Sequence, residues 1–158
     1  MFNRQNLWVH LGVGVLAIGL AGCGTADAQS AGHPSSTSPS AAANGVNVML
    51  TGQEEVPPVS TSGAGTGLIR VAPDKSVSGK ITYSGVNATM AHIHQGSKGS
   101  NGPPIITLKK TSDSTFVVPD GARLTDEQHA QYRAGNLYVN VHSDRYPGGE
   151  LRAQLRPE

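Results

Sequence analysis

Three histidines carry the strongest chemical signal in this chain of 158 residues. Ala91-His92-Ile93-His94 alternates apolar and imidazole side chains, and on a strand residues i and i+2 project from the same face. A second alternating stretch, Leu137-Tyr138-Val139-Asn140-Val141-His142, has Leu137, Val139 and Val141 on an apolar face and Tyr138, Asn140 and His142 on the other. If these two strands pair, His92, His94 and His142 meet on one surface. Three neutral imidazoles suit Cu(II) or Zn(II) and leave a coordination position for water or substrate. No carboxylate-rich cluster points to Ca²⁺ or Mg²⁺ instead. The plain alternative is that these are hydrogen-bonding residues on the polar face of a half-exposed strand. His33 falls in a polar linker, and His129 reads as a solvent-facing residue on a helix.

Short strands must position these side chains. Val46, Val48 and Leu50 alternate with Asn47 and Met49 and stop at Thr51-Gly52. Gly65–Val71 and Ser76–Tyr83 read as a hairpin through Pro73-Asp74-Lys75. Further strands are expected at Met90–His94, Ile105–Lys109, Ser114–Val118, Leu137–His142 and Glu150–Leu155, with residues 96–104 a Gly/Pro loop. Thr125 with Gln128 three residues on, acids in the first turn, and Arg133 then Gly135 at the end predict one short helix over about 125–134, anchored by Leu124 and Tyr132. About eight short strands with one helix predict an all-β, antiparallel Greek-key β-sandwich. Asp144–Gly149 reads as a turn, Glu150 and Arg152 as i, i+2 neighbours that pair with each other or across the last strand for register, and Glu54-Glu55 as loop residues ahead of Pro57-Pro58. A glycosidase-type role for the two glutamates has no other support. No nucleophile elbow or phosphate-binding glycine loop appears, so catalytic residues are none and the chain reads as non-enzymatic, a weak redox chemistry aside.

The N-terminus speaks to location. Arg4 and the α-amine precede an apolar run from Leu7 to Leu20 that is too short to span a bilayer as a helix. Leu20-Ala21-Gly22-Cys23 resembles a bacterial lipobox. The resemblance implies a signal peptide over residues 1–22 and acylation of Cys23 on sulfur and amine, a lasting membrane anchor because each buried CH₂ contributes ~0.8 kcal/mol. Gly24 rather than Asp at the next position favours the outer membrane where a cell has two. Residues 23–45, rich in Ser, Ala, Pro and Gly, read as the lipidated Cys and a flexible linker, and 46–158 as the folded domain. Twelve basic against 11 acidic residues, with no basic block, exclude a nucleic-acid partner on charge grounds. The single cysteine excludes an intrachain disulfide.

Three separated motifs carry a family resemblance. Leu50-Thr51-Gly52-Gln53-Glu54-Glu55-Val56-Pro57-Pro58-Val59, then Ala91–Gly96 with Asn101-Gly102-Pro103, then Leu137–Ser143 with Pro147–Leu155, resemble the CHRD (chordin-type) domain. That resemblance implies an extracytoplasmic β-sandwich over about Val46 to Arg156 and no settled activity. The His92-x-His94 pair with a late strand ending at His142 is also similar to the copper-ligand pattern of copper/zinc superoxide dismutases. This implies copper as the ion, zinc second, held by His92, His94 and His142. It does not carry the dismutase reaction, because there is no fourth histidine to bridge to zinc and no disulfide. Two function classes stay open: an envelope lipoprotein that binds copper, and a non-enzymatic surface module that binds an extracytoplasmic protein or glycan.

Overall fold

Alternation of apolar and polar residues at period two decides most of the architecture, because each such strand has one face to bury. The computed structural model describes residues 45–157. The expected signal segment, Cys23 and the linker up to residue 44 lie outside the described residues. Nine strands and one helix follow in chain order: β1 Gly45–Thr51, β2 Ala64–Val71, β3 Val77–Ser84, β4 Ala88–Gln95, β5 Pro104–Thr107, β6 Lys109–Ser112, β7 Thr115–Val117, α1 Asp126–Arg133, β8 Leu137–Ser143 and β9 Leu151–Leu155. Gly45, assigned above to the linker, is the first residue of β1.

All strand pairings are antiparallel, in the order β5-β4-β8-β9-β1-β2-β3-β7-β6. β9 meets β1 through the single register pair Thr51–Arg152. The sheet therefore divides into a layer β5-β4-β8-β9 and a layer β1-β2-β3-β7-β6. The two terminal strands of the order, β5 and β6, are consecutive in the chain. Ile105–Lys109 is thus not one strand, as expected, but two strands parted at Leu108. Buried Leu108 donates its N–H to the Ala91 carbonyl at 2.9 Å, and Lys110 Nζ donates to the Ala88 carbonyl at 2.8 Å, drawing the far edge back against β4. The result is an all-β sandwich, nearly closed into a barrel.

Both layers contribute to one core. Val48, Leu50, Ile69, Ile81 and Phe116 come from one side, and Ala91, Ile93, Val139, Val141, Leu151 and Leu155 from the other. The helix forms where its capping signals place it. Thr125 accepts from Gln128 N–H at 3.1 Å and Gln128 Oε1 accepts from Thr125 N–H at 2.9 Å, a reciprocal cap. Leu124 and Tyr132 are buried beneath it as expected. His129 is half-buried, stacked 6.3 Å from the Tyr132 ring, rather than facing solvent.

Candidate metal centre

β4 and β8 pair, with His92 opposite Asn140, His94 opposite Tyr138 and Met90 opposite His142. Strand alternation then sends Met90, His92, His94, Tyr138, Asn140 and His142 to the side away from the core, as expected from their spacing. The β8 side of that face is not half-exposed, however. Every residue of β8 is buried, because loops close over its polar side. Residues 96–103 cover His94 and Tyr138. Residues 144–149, expected only as a turn, fold against His142. The stretch after the 3₁₀ turn Gly52–Glu54 lowers Glu55 over Asn140.

The three imidazoles come together. One nitrogen from each of His92, His94 and His142 lies within 4.8 Å of the others, and His92 Nδ1 stands 3.1 Å from His142 Nε2. Two nitrogens 3.1 Å apart subtend about 98° at a centre ~2.05 Å from each, between square and tetrahedral ligation. The chain also fixes the tautomers. His94 Nδ1 is 2.8 Å from the Gly102 carbonyl and His142 Nδ1 is 2.8 Å from the Pro147 carbonyl. A carbonyl only accepts, so both Nδ1 atoms carry the proton and both Nε2 atoms present a lone pair inward. Backbone carbonyls behind the outer ring nitrogens are the usual support of a metal-ligating histidine. His94 Nε2 is buried with no hydrogen-bond partner among the described residues. Such a lone pair is costly to bury unless it has something to bind.

All three histidines are held below the usual imidazole pKa. Burial is the main cause for each; for His92 the neighbouring His142 and His94 add to it, and for His94 and His142 the Gly102 and Pro147 carbonyls partly oppose it. Low pKa values keep the rings neutral near pH 7, which is the ligating form.

Around the histidines lies a buried polar shell that sequence reasoning missed. Arg152, 1% exposed, does not pair with Glu150. Its guanidinium lies 3.5 Å from the centroid of the Tyr138 ring and donates to the Ser97 and Ser100 carbonyls at 3.2 and 2.9 Å and to Asn101 Oδ1 at 3.2 Å. Glu150 instead accepts from Thr61 Oγ1 at 2.7 Å and from Ser143 Oγ. Asn101 Nδ2 donates to the Val56 carbonyl at 2.7 Å, tying the two covering loops together. Tyr138 stacks on His94 with ring centroids 4.8 Å apart, so Arg152, Tyr138 and His94 form one pile. Glu55, 4% exposed, has its pKa raised to about 7 by burial, against the lowering effects of Arg152, the Val56 backbone and Asn140. A Cβ on Gly149 would sit 2.5 Å from Glu55 Oε1 and 2.8 Å from Asn140 Nδ2, and its φ of +132° suits glycine. The Gly149 that looked like plain turn chemistry therefore makes room for the buried carboxyl.

A protein-family model, that of the CHRD domain, matches residues 46–155. The chain belongs to the CHRD family. The match runs from β1 to the last residue of β9, so the three histidines, Glu55 and Arg152 all lie inside the CHRD domain. No significant match was found among curated proteins or among solved structures.

Proposed function

We propose that this CHRD protein binds one copper ion, with zinc the second-best fit, through His92 Nδ1, His94 Nε2 and His142 Nε2, while anchored by lipid at Cys23 to the outside of a bacterial membrane. The convergence of three inward ring nitrogens, two with their outer nitrogens tied to backbone carbonyls, carries the metal reading. An all-imidazole set favours Cu(II) over Zn(II), since affinity at a common nitrogen site peaks at copper. With His92 Nδ1 as a ligand, that ring would carry its proton on Nε2 instead of sharing it with His142.

The second reading, an adhesive surface module, calls for an exposed apolar or aromatic patch away from the histidines. Among the described residues the exposed large hydrophobics are Met49 and Met90, and Met90 adjoins the histidines. The surface thus favours the metal site.

Titration of Cu(II) into the full chain in detergent is expected to saturate at one ion per chain by calorimetry, with nitrogen hyperfine structure in the electron paramagnetic resonance spectrum. A flat titration, or several weak sites of equal affinity, would end the metal reading. The anchor is tested separately. Cys23→Ala is expected to abolish incorporation of labelled palmitate and shift the protein from the membrane fraction to the soluble one. Unchanged labelling in the variant would remove the anchor and leave the metal site untouched.

A further inference from the structure

The histidine cluster is unevenly covered. Along β4, exposure falls from Met90 (46% exposed) through half-buried His92 to His94 (7% exposed). The open side of the cluster therefore faces Met90. Met90 stands two residues before His92 in the same unbroken register, so regular alternation places it on the histidine face, and a backbone irregularity lies just before it. Ala88 is buried in the core and pairs with Ser143, whereas Met90, two residues on, pairs with His142 and points out. In a regular strand residues i and i+2 share a face, as Met90, His92 and His94 do, so Ala88 would join them on the outer side. The register shift between them makes Thr89 an extra residue and sends Ala88 into the core, which leaves Met90 as the last side chain of the histidine row. Bulges of this kind re-aim side chains. Met90 is a large apolar residue left exposed at an energetic cost, directly opposite His142, where cross-strand Cβ atoms are about 5 Å apart.

From this placement we infer that Met90 is the fourth, soft ligand of the centre, and that the site holds Cu(I) as well as Cu(II). The inference rests on the three-histidine metal reading above and deepens it. Three imidazoles leave one tetrahedral position, and a thioether prefers Cu(I) to Cu(II) or Zn(II). A long unbranched Met side chain with three rotatable bonds is adaptable enough to turn toward a centre beside His142. The exposed thioether of Met90, the imidazoles behind it and the carbonyls behind those form a graded shell suited to accepting copper in either oxidation state from the extracytoplasmic side.

The experiment compares the full chain with Met90→Leu and, as a control, Met49→Leu, all carrying Cys23→Ala so that no thiol competes for Cu(I). Cu(I) affinity is measured by competition with a chromogenic Cu(I) chelator, and Cu(II) affinity by competition with an amino-acid chelator. Met90→Leu is expected to weaken Cu(I) binding by about tenfold or more and Cu(II) binding by less than about twofold. X-ray absorption of the Cu(I) form should show one sulfur neighbour that Met90→Leu removes and Met49→Leu keeps. Copper binding with the same Cu(I) affinity and no sulfur neighbour in the parent chain would overturn the role of Met90 while keeping the histidine site. Failure of the parent chain to bind either oxidation state would overturn both.

Discussion

Alanine in place of His94 is expected to weaken copper binding by at least about 100-fold, the upper end of what losing a mere outer-shell partner does. His94 is the most committed of the three ligands. Its Nδ1–H is spent on the Gly102 carbonyl, its ring lies flat on Tyr138, and its Nε2 is buried with the Asn140 side chain as its polar neighbour outside the cluster. Without it, only His92 and His142 remain to supply nitrogen to the ion. The change also leaves the Gly102 carbonyl short of a donor, although Tyr138 OH remains 3.4 Å away. The measurement is therefore made alongside thermal unfolding with a strong chelator present, which reports the metal-free fold. His129→Ala, whose ring packs on Tyr132 of the helix, serves as the matched control and should leave copper affinity unchanged. A folded His94→Ala chain that binds copper like its parent would show that the cluster is a hydrogen-bonded cap for the loops and not a metal centre.

Period-two alternation made the strands and the three-histidine face readable before any coordinates. Val46 to Leu50, the hairpin through Pro73-Asp74-Lys75, and the two histidine strands all sit where their apolar positions require a buried face. The misses have one physical root. Alternation reports which residues share a face, and says nothing about what covers it. Tyr138, Asn140 and His142 were correctly placed away from the core, yet loops bury them, and a loop's docking is written in long-range hydrogen bonds. Arg152 shows the difficulty: an arginine two residues from Glu150 suggests a local ion pair, while its actual partners are carbonyls some 50 residues away in sequence. A usable clue did exist. Arg152 and Gln154 alternate with Leu151, Ala153 and Leu155, so a cation had to stand on the same outer face as Asn140 and Tyr138, facing loops rich in glycine carbonyls. Leu108 misled for a similar reason. Its apolar side chain fits a continuous strand, but it is used to carry the chain from one edge of the sheet to the other.

The same buried shell sets the pH response of the fold, and Glu55→Gln isolates it. With metal removed by chelator, the variant is expected to lie within about 1 kcal/mol of the parent's stability near pH 5 and to exceed it near pH 8 by up to about 3 kcal/mol. Glu55 has a pKa of about 7 in the folded protein against 4.5 for a free carboxyl. Below about pH 4.5 both folded and unfolded chains hold the proton, and the carboxyl exacts no penalty. From there to about pH 7 the unfolded chain gives up its proton while the folded chain keeps it, so stability falls as pH rises. Above about 7 the penalty is complete and constant. Glutamine has the shape of the protonated acid and never ionises, so it removes this slope. The histidines run the opposite way. Their lowered pKa values leave the unfolded chain binding more protons as pH falls through 6.5, so that part of the stability is lost on the acid side, in parent and variant alike. The two slopes overlap and oppose each other in the parent below about pH 6.5, and Glu55→Gln should keep the histidine slope and lose the opposing one. Chemical denaturation across pH 5 to 8 reads both. Parallel curves for parent and variant would mean that Glu55 is already ionised near pH 5, with Arg152 holding its charge in the fold.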